Sequence, residues 1–329
     1  MKRNVAVEYK SVSLTRAPFA AFTTIALLAA VLLIAGCGGA GQSDAEVVAD
    51  TTAEATAPSG VVASGLATPE SVLWDSTRSI WYISNINGEA KDDNGYILRV
   101  GPDGQAVDSV PFINGADEDI TLNSPKGMAL VGDTLWVADM DMVRGFNVTT
   151  GTAVASVDLS PMQATFLNDV VAGPDGTIYI TDSGIAFTAT GVVHSGKSRV
   201  FALNGRTATE AVVLPQESAA NGIAWDPRRQ TFVIVAYNAP QIFSWKPGTD
   251  SAEVIGTGPG GADGLLILAD GRALYTSWAD SSLNVFADGK STTLRKALPD
   301  PADLGYDAVR GIVAVPLFST NRVEFWPVR

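Results

Sequence analysis

The chain has 329 residues, 46% of them hydrophobic and 17% charged, with 32 Gly and 17 Pro. This composition excludes a disordered polyelectrolyte and supplies both a sizeable core and many turns. A formal net charge of −13 argues against a nucleic-acid partner, because binding phosphates requires basic patches, and ordinary solubility accounts for the acidity.

The N-terminus reads as a secretion leader. Lys2, Arg3, Lys10 and Arg16 face a single acid, Glu8, and residues 17–36 form an apolar and hydroxyl run without charge. The run ends Leu33-Ile34-Ala35-Gly36-Cys37, which resembles the bacterial lipobox, where small residues before Cys allow cleavage and attachment of diacylglycerol to the thiol. Residues 1–36 are therefore expected to be a lipoprotein signal peptide, Cys37 the lipidated mature N-terminus, and the protein an extracytoplasmic lipoprotein held to a membrane. An uncleaved anchor is the alternative, since about 20 residues can span a bilayer. Cys37 is the sole cysteine, so no intrachain disulfide is available and packing must stabilise the fold. Loss of the leader would leave 18 Lys plus Arg against 34 Asp plus Glu, a net charge of about −16.

Residues 38–58 are Gly, Ala, Thr, Ser, Asp and Glu with almost no large apolar side chain, so residues 37–58 read as a lipidated Cys and a flexible linker. For 21 residues such a linker spans roughly 25 Å.

From residue 59 to 329 a unit of roughly 40 to 56 residues repeats. The units open at Pro69-Glu70-Ser71-Val72, Pro125-Lys126-Gly127-Met128, Leu167-Asn168-Asp169-Val170, Ala220-Asn221-Gly222-Ile223, Ala262-Asp263-Gly264-Leu265 and, less clearly, Ala302-Asp303-Leu304-Gly305. Second strands are predicted over residues 80–84, 135–139, 178–182, 232–236, 274–278 and 312–316, with third strands over 96–100, 143–148, 199–203, 241–245, 283–286 and 322–326. Six such units predict an all-β, six-bladed β-propeller, a monomer by expectation. The last unit ends after three strands, so residues 60–66 are expected to complete it and close the ring.

The first strand of each propeller blade lines the central channel, which brings Glu70, Lys126, Asn168, Asn221, Asp263 and Asp303 towards one point across spacings of 56, 42, 53, 42 and 40 residues. Two carboxylates, Glu70 and Asp263, and two amides, Asn168 and Asn221, offer hard oxygens and two negative charges, which suits a divalent metal and calcium above others. Zinc would call on His or Cys, and the candidates are His194, in the Gly- and Ser-rich 191–198 stretch read as a loop, and Cys37. Asp139 and Asp182, at the ends of second strands, read as turn-stabilising residues. Trp81, Trp136, Trp225, Tyr179 and Tyr275 read as blade packing.

At these positions the chain resembles the gluconolactonase and regucalcin family of six-bladed propellers, with wider similarity to diisopropylfluorophosphatase and paraoxonase-type hydrolases. The resemblance implies metal ligands at Glu70, Asn221 and Asp263, with Asn168 as a further Asn beside the metal. It implies calcium-assisted hydrolysis of a lactone or other ester, in which Asp263 orients or deprotonates water and Glu70, Asn168 and Asn221 hold the ion. Two positions depart from the family. Regucalcin-like members carry a sugar-acid-binding Arg where this chain has Phe166, and Lys126 can place an ammonium in the channel. At ~6 Å from a divalent ion and an effective dielectric near 20, Lys126 would cost about 5 kcal/mol. It can instead replace the metal by bridging the carboxylates, or snorkel outward. The competing class is a noncatalytic binding or scaffold propeller with an unknown protein partner in place of a small-molecule substrate.

Overall fold

The computed structural model describes residues 59–88, 91–188 and 191–328. The expected signal peptide, the Cys37 lipidation site and the whole of the linker lie outside these residues. Among the described residues no helix is long and apolar enough to cross a membrane.

Six four-stranded antiparallel sheets form the six blades. Their opening strands are Pro69–Asp75, Pro125–Val131, Leu167–Ala172, Ala220–Asp226, Ala262–Ile267 and the short Gly305–Asp307. Second strands run Ile80–Asn85, Thr134–Asp139, Ile178–Asp182, Thr231–Ala236, Ala273–Ser277 and Ile312–Leu317. All six fall within a residue or two of where the sequence places them. Each opening strand of the first five blades carries an irregularity after its first residue, as between Pro69 and Val72, so two residues escape ladder pairing there.

The sixth blade closes the ring as expected, over a shorter stretch. Gly60–Val62 pairs with Arg322–Pro327, with Gly60 opposite Phe325 and Val62 opposite Val323, while residues 63–66 lie outside the strand. Val62 is buried with Val72, Trp81, Ala314 and Phe325 in the cluster that joins the sixth blade to the first. Five further apolar clusters fill the other blade interfaces. Trp81 and Tyr275 are fully buried, as blade packing requires. Fully burying one such large side chain stabilises by roughly 1.5–3 kcal/mol, so the interfaces carry stability that no disulfide supplies.

The 191–198 stretch departs from expectation. Its first half is the strand Gly191–His194, paired with Ile185–Thr188 in a hairpin inserted between the second and third strands of blade three. Ile185 lies opposite His194 and Ala186 opposite Val193. The Gly and Ser content masked a strand whose Val192-Val193-His194 core has ordinary β propensity.

Candidate functional site at the channel mouth

One backbone bond repeats around the mouth. In five blades the amide that follows the second strand donates to the carbonyl two residues before the channel position: Ile86 to Thr68 at 3.1 Å, Ser183 to Phe166 at 2.9 Å, Tyr237 to Ala219 at 2.9 Å, Trp278 to Gly261 at 2.8 Å and Phe318 to Asp300 at 3.1 Å. These bonds fix Glu70, Asn168, Asn221 and Asp263 in one register. In blade two the equivalent Ser124 carbonyl accepts from Lys126 Nζ at 3.1 Å.

The same register corrects the sixth position. Ala302, not Asp303, is the counterpart of Glu70, and Asp303 lies one residue further along the chain, in an isolated bridge to Ser71 and at the level of Asp169. Asp303 accordingly pairs with Ser71, whose hydroxyl donates to Asp303 Oδ2 at 2.5 Å, and its amide donates to the Glu70 carbonyl at 2.8 Å. Asp169 has a matching role: its Oδ2 accepts the Ile223 amide at 2.8 Å and its Oδ1 the Val170 amide at 2.6 Å. The other residues at this level are glycines because neighbouring strands leave no room for a side chain. A Cβ on Gly222 would lie 2.4 Å from the Asp263 carbonyl oxygen, and one on Gly264 would lie 2.4 Å from Asp303 Cα.

Above this level is a cavity of about 360 Å³, with Glu70, Lys126, Asn168, Asn221 and Asp263 on its floor. All five are buried. Three of their oxygens, Glu70 Oε2, Asn221 Oδ1 and Asp263 Oδ1, have no hydrogen-bond partner among the described residues. Asn168 is oriented by a relay in which its Nδ2 donates to Ser183 Oγ at 3.4 Å and that hydroxyl donates to the Ala220 carbonyl at 2.6 Å. Among the described residues no three His, Cys, Asp or Glu side chains are grouped to hold an ion. The floor set is two carboxylates with two amides, a donor set that fits a hard, oxygen-seeking cation and not zinc.

The electrostatics agree with that fit. Burial, then the charges of Asp263 and Asp303, push the Glu70 carboxyl well above the usual range, while Lys126 pulls it down. Burial and then Asp303 raise Asp263 to about 8, opposed by the nearby Trp278 indole and Asn221 amide. Asp303 rises to about 7, chiefly through burial, and Asp169 is also raised well above its ordinary value. Four acids crowded in a low-dielectric channel favour protons when no other cation is near.

Lys126 is 1% exposed, so it does not snorkel outward. Its Nζ lies 4.3 Å from the centroid of the Phe166 ring, which brings the chain's two departures from the family pattern into contact with each other. Asp139 and Asp182 are structural, as expected. Asp139 Oδ1 accepts the amides of Asn123 and Ser124 at 3.0 and 2.7 Å, and Asp182 Oδ1 accepts the Phe166 amide at 3.0 Å.

The sequence did not reveal the wall of the cavity. Ile86, Ser183, Tyr237, Trp278 and Phe318 line it, each standing one residue past its blade's second strand. That constant offset is the signal that would have found them. The inserted hairpin adds Ile185, Val192 and His194, and His194 Nε2 lies 3.4 Å from Asn238 Nδ2.

Comparison with known proteins places this geometry. Among curated proteins, none matches the chain in sequence. A gluconolactonase from Xanthomonas campestris superposes with a TM-score of 0.60 at 17% identity, over 79% of this chain and 86% of that one. A calcium-binding protein, regucalcin, from Agrobacterium tumefaciens gives 0.59 at 15% identity, over 81% and 93%. Virginiamycin B lyase from Staphylococcus aureus gives 0.52 at 12% identity, over 79% and 84%. At such identities the likeness is one of fold. The family profile described as SMP-30/gluconolactonase/LRE-like region matches residues 68–302, most of the chain and all of the cavity floor, and the chain therefore belongs to that family.

Proposed function

We propose that the protein is a divalent-metal-dependent hydrolase of a lactone or other ester, with calcium as the metal. The observation that carries this is the trio of buried oxygens without partners, Glu70 Oε2, Asn221 Oδ1 and Asp263 Oδ1, on the floor of one cavity. Orphaned buried acceptors are costly, and a cation is the partner that satisfies carboxylate and amide oxygens together. Glu70, Asn221 and Asp263 would hold it, with Asn168 beside them. A bound divalent cation supplies Lewis-acid polarisation of the ester carbonyl. The chain's own contribution is the Asp263 carboxylate, which takes a proton from the attacking water as that oxygen bonds to the carbonyl carbon. The proton then passes to the alkoxide released when the ester C–O bond breaks.

The burial of Lys126 beside Glu70 favours a second reading, a noncatalytic binding propeller in which the ammonium neutralises the carboxylates. Calorimetry separates the two. The hydrolase reading expects calcium, magnesium or manganese to bind the wild type and to raise its melting temperature, and expects Glu70→Gln to lose most of that gain. No binding of any of the three ions would leave the binding propeller as the better account.

The leader sequence supports a location outside the cytoplasm, with a monomer tethered to a membrane through lipid on Cys37. Cys37→Ser should leave the domain folded and release it from the membrane fraction. Retention of a full-length Cys37→Ser chain in that fraction would instead favour an uncleaved anchor.

A further inference from the structure

The wall of the cavity differs in kind from its floor. Ile86, Phe166, Ile185, Tyr237, Trp278 and Phe318 supply most of it. Tyr237 meets Trp278 edge to face with centroids 5.8 Å apart, and Trp278 meets Phe318 at 5.4 Å, so three blades contribute one continuous aromatic shelf. The shelf follows from the register described above, because each of its members stands one residue past its blade's second strand. The polar wall groups His194 and Asn238 face each other at 3.4 Å, and the charge of Lys126 lies between the Ser124 carbonyl and the Phe166 ring.

A polyol or sugar acid carries hydroxyls on most of its faces, and each one buried against an apolar wall without a partner costs roughly tenfold or more in affinity. An alkyl or aryl group gains there instead, by about fourfold for each methylene buried, which corresponds to ~0.8 kcal/mol. We propose that the substrate is an amphipathic ester or lactone, with its hydrolysable head on the Glu70, Asn168, Asn221 and Asp263 floor and an apolar alkyl or aryl tail on the Tyr237, Trp278 and Phe318 shelf. The head-group half rests on the hydrolase reading; the tail half rests on the wall alone.

The test uses the full chain with calcium and two homologous series. One is γ-alkyl-γ-butyrolactones from methyl to heptyl, assayed for hydrolysis beside glucono-δ-lactone. The other is 2-alkylcyclopentanones of the same tails, which cannot be hydrolysed, assayed for binding by calorimetry. The expected result is a rise in kcat/KM and a fall in Kd of about fourfold per methylene over the first several members, with glucono-δ-lactone the poorer substrate. Phe318→Ala and the milder Tyr237→Ala, at an exposed position, should both flatten the slope against tail length. Faster turnover of glucono-δ-lactone than of the pentyl lactone would overturn the apolar tail while upholding the hydrolase. Binding that is independent of tail length, or equal slopes in wild type and both folded variants, would also overturn it. A tail-length gradient in ketone binding with no hydrolysis of any lactone would uphold the shelf and refute the hydrolase.

Discussion

Replacing Asp263 with Asn removes one negative charge from the channel floor at nearly constant shape, and its effect on stability has a computable sign. The Asp263 carboxyl moves from 3.8 to about 8 in the folded chain, through burial and then the charge of Asp303. Between pH 5 and pH 8 the folded state therefore holds a proton that the unfolded chain has released. Stability from this group is fully present below the unfolded pKa and is lost as pH rises through the folded value. At ~1.4 kcal/mol per unit, three pH units amount to at most about 4 kcal/mol, less because protonation is shared with Asp303. At ~2–4 °C per kcal/mol for a domain of this size, the ion-free wild type should lose on the order of 10 °C in Tm from pH 5 to pH 8 relative to Asp263→Asn. Calcium, which favours the ionised carboxylates, should cancel the difference in the wild type and have little effect on the variant. Thermal melts of both proteins in chelator and in calcium at four pH values read all of this. A variant whose Tm runs parallel to that of the wild type across the window in chelator would refute the electrostatic account of the floor.

Two further outcomes follow from the ring. Deleting residues 38–57 should leave solubility and Tm unchanged, whereas deleting 38–66 removes the strand paired with Arg322–Pro327 and should cause aggregation through the exposed edge; equal solubility of the two in a sedimentation assay would sink the closure argument. Gly264→Ala sets a methyl 2.4 Å from Asp303 Cα and should cost more than about 2 kcal/mol in urea unfolding, while Gly205→Ala, where a Cβ meets nothing within 4 Å but φ is +61°, should cost less.

Much of the architecture could be read from the chain because each blade carries its own turn and alternation signals. Pro174-Asp175-Gly176 and its counterparts mark hairpins, and the five clear openings begin within the observed strands. The sequence puts the sixth opening one residue late because Asp303 is the conspicuous polar residue there. Pro301, which pairs with Leu317 as Pro69 pairs with Asn85, is the marker that would have corrected it. Glu70, Asn168, Asn221 and Asp263 were legible since a polar residue repeated at the start of a buried strand has few other uses. The aromatic shelf was not, because Tyr237, Trp278 and Phe318 are ordinary packing residues until the register shows that they stand past the strand end. The strand that carries His194 was hidden for the opposite reason: glycines and serines around it suggest a loop, and only pairing with Ile185–Thr188 reveals the strand.

Sharing the last blade between the chain's two ends has a topological consequence. The Ser59 amide donates to the Phe325 carbonyl at 2.7 Å, so the chain enters the fold beside the point where it leaves it. A short peptide could join those points and a cut could be made between two other blades without removing a single strand pairing. Which blade is first is then a property of the gene and not of the fold. Relocating the cut would move the point where the chain enters the ring while Glu70, Lys126, Asn168, Asn221 and Asp263 kept their geometry.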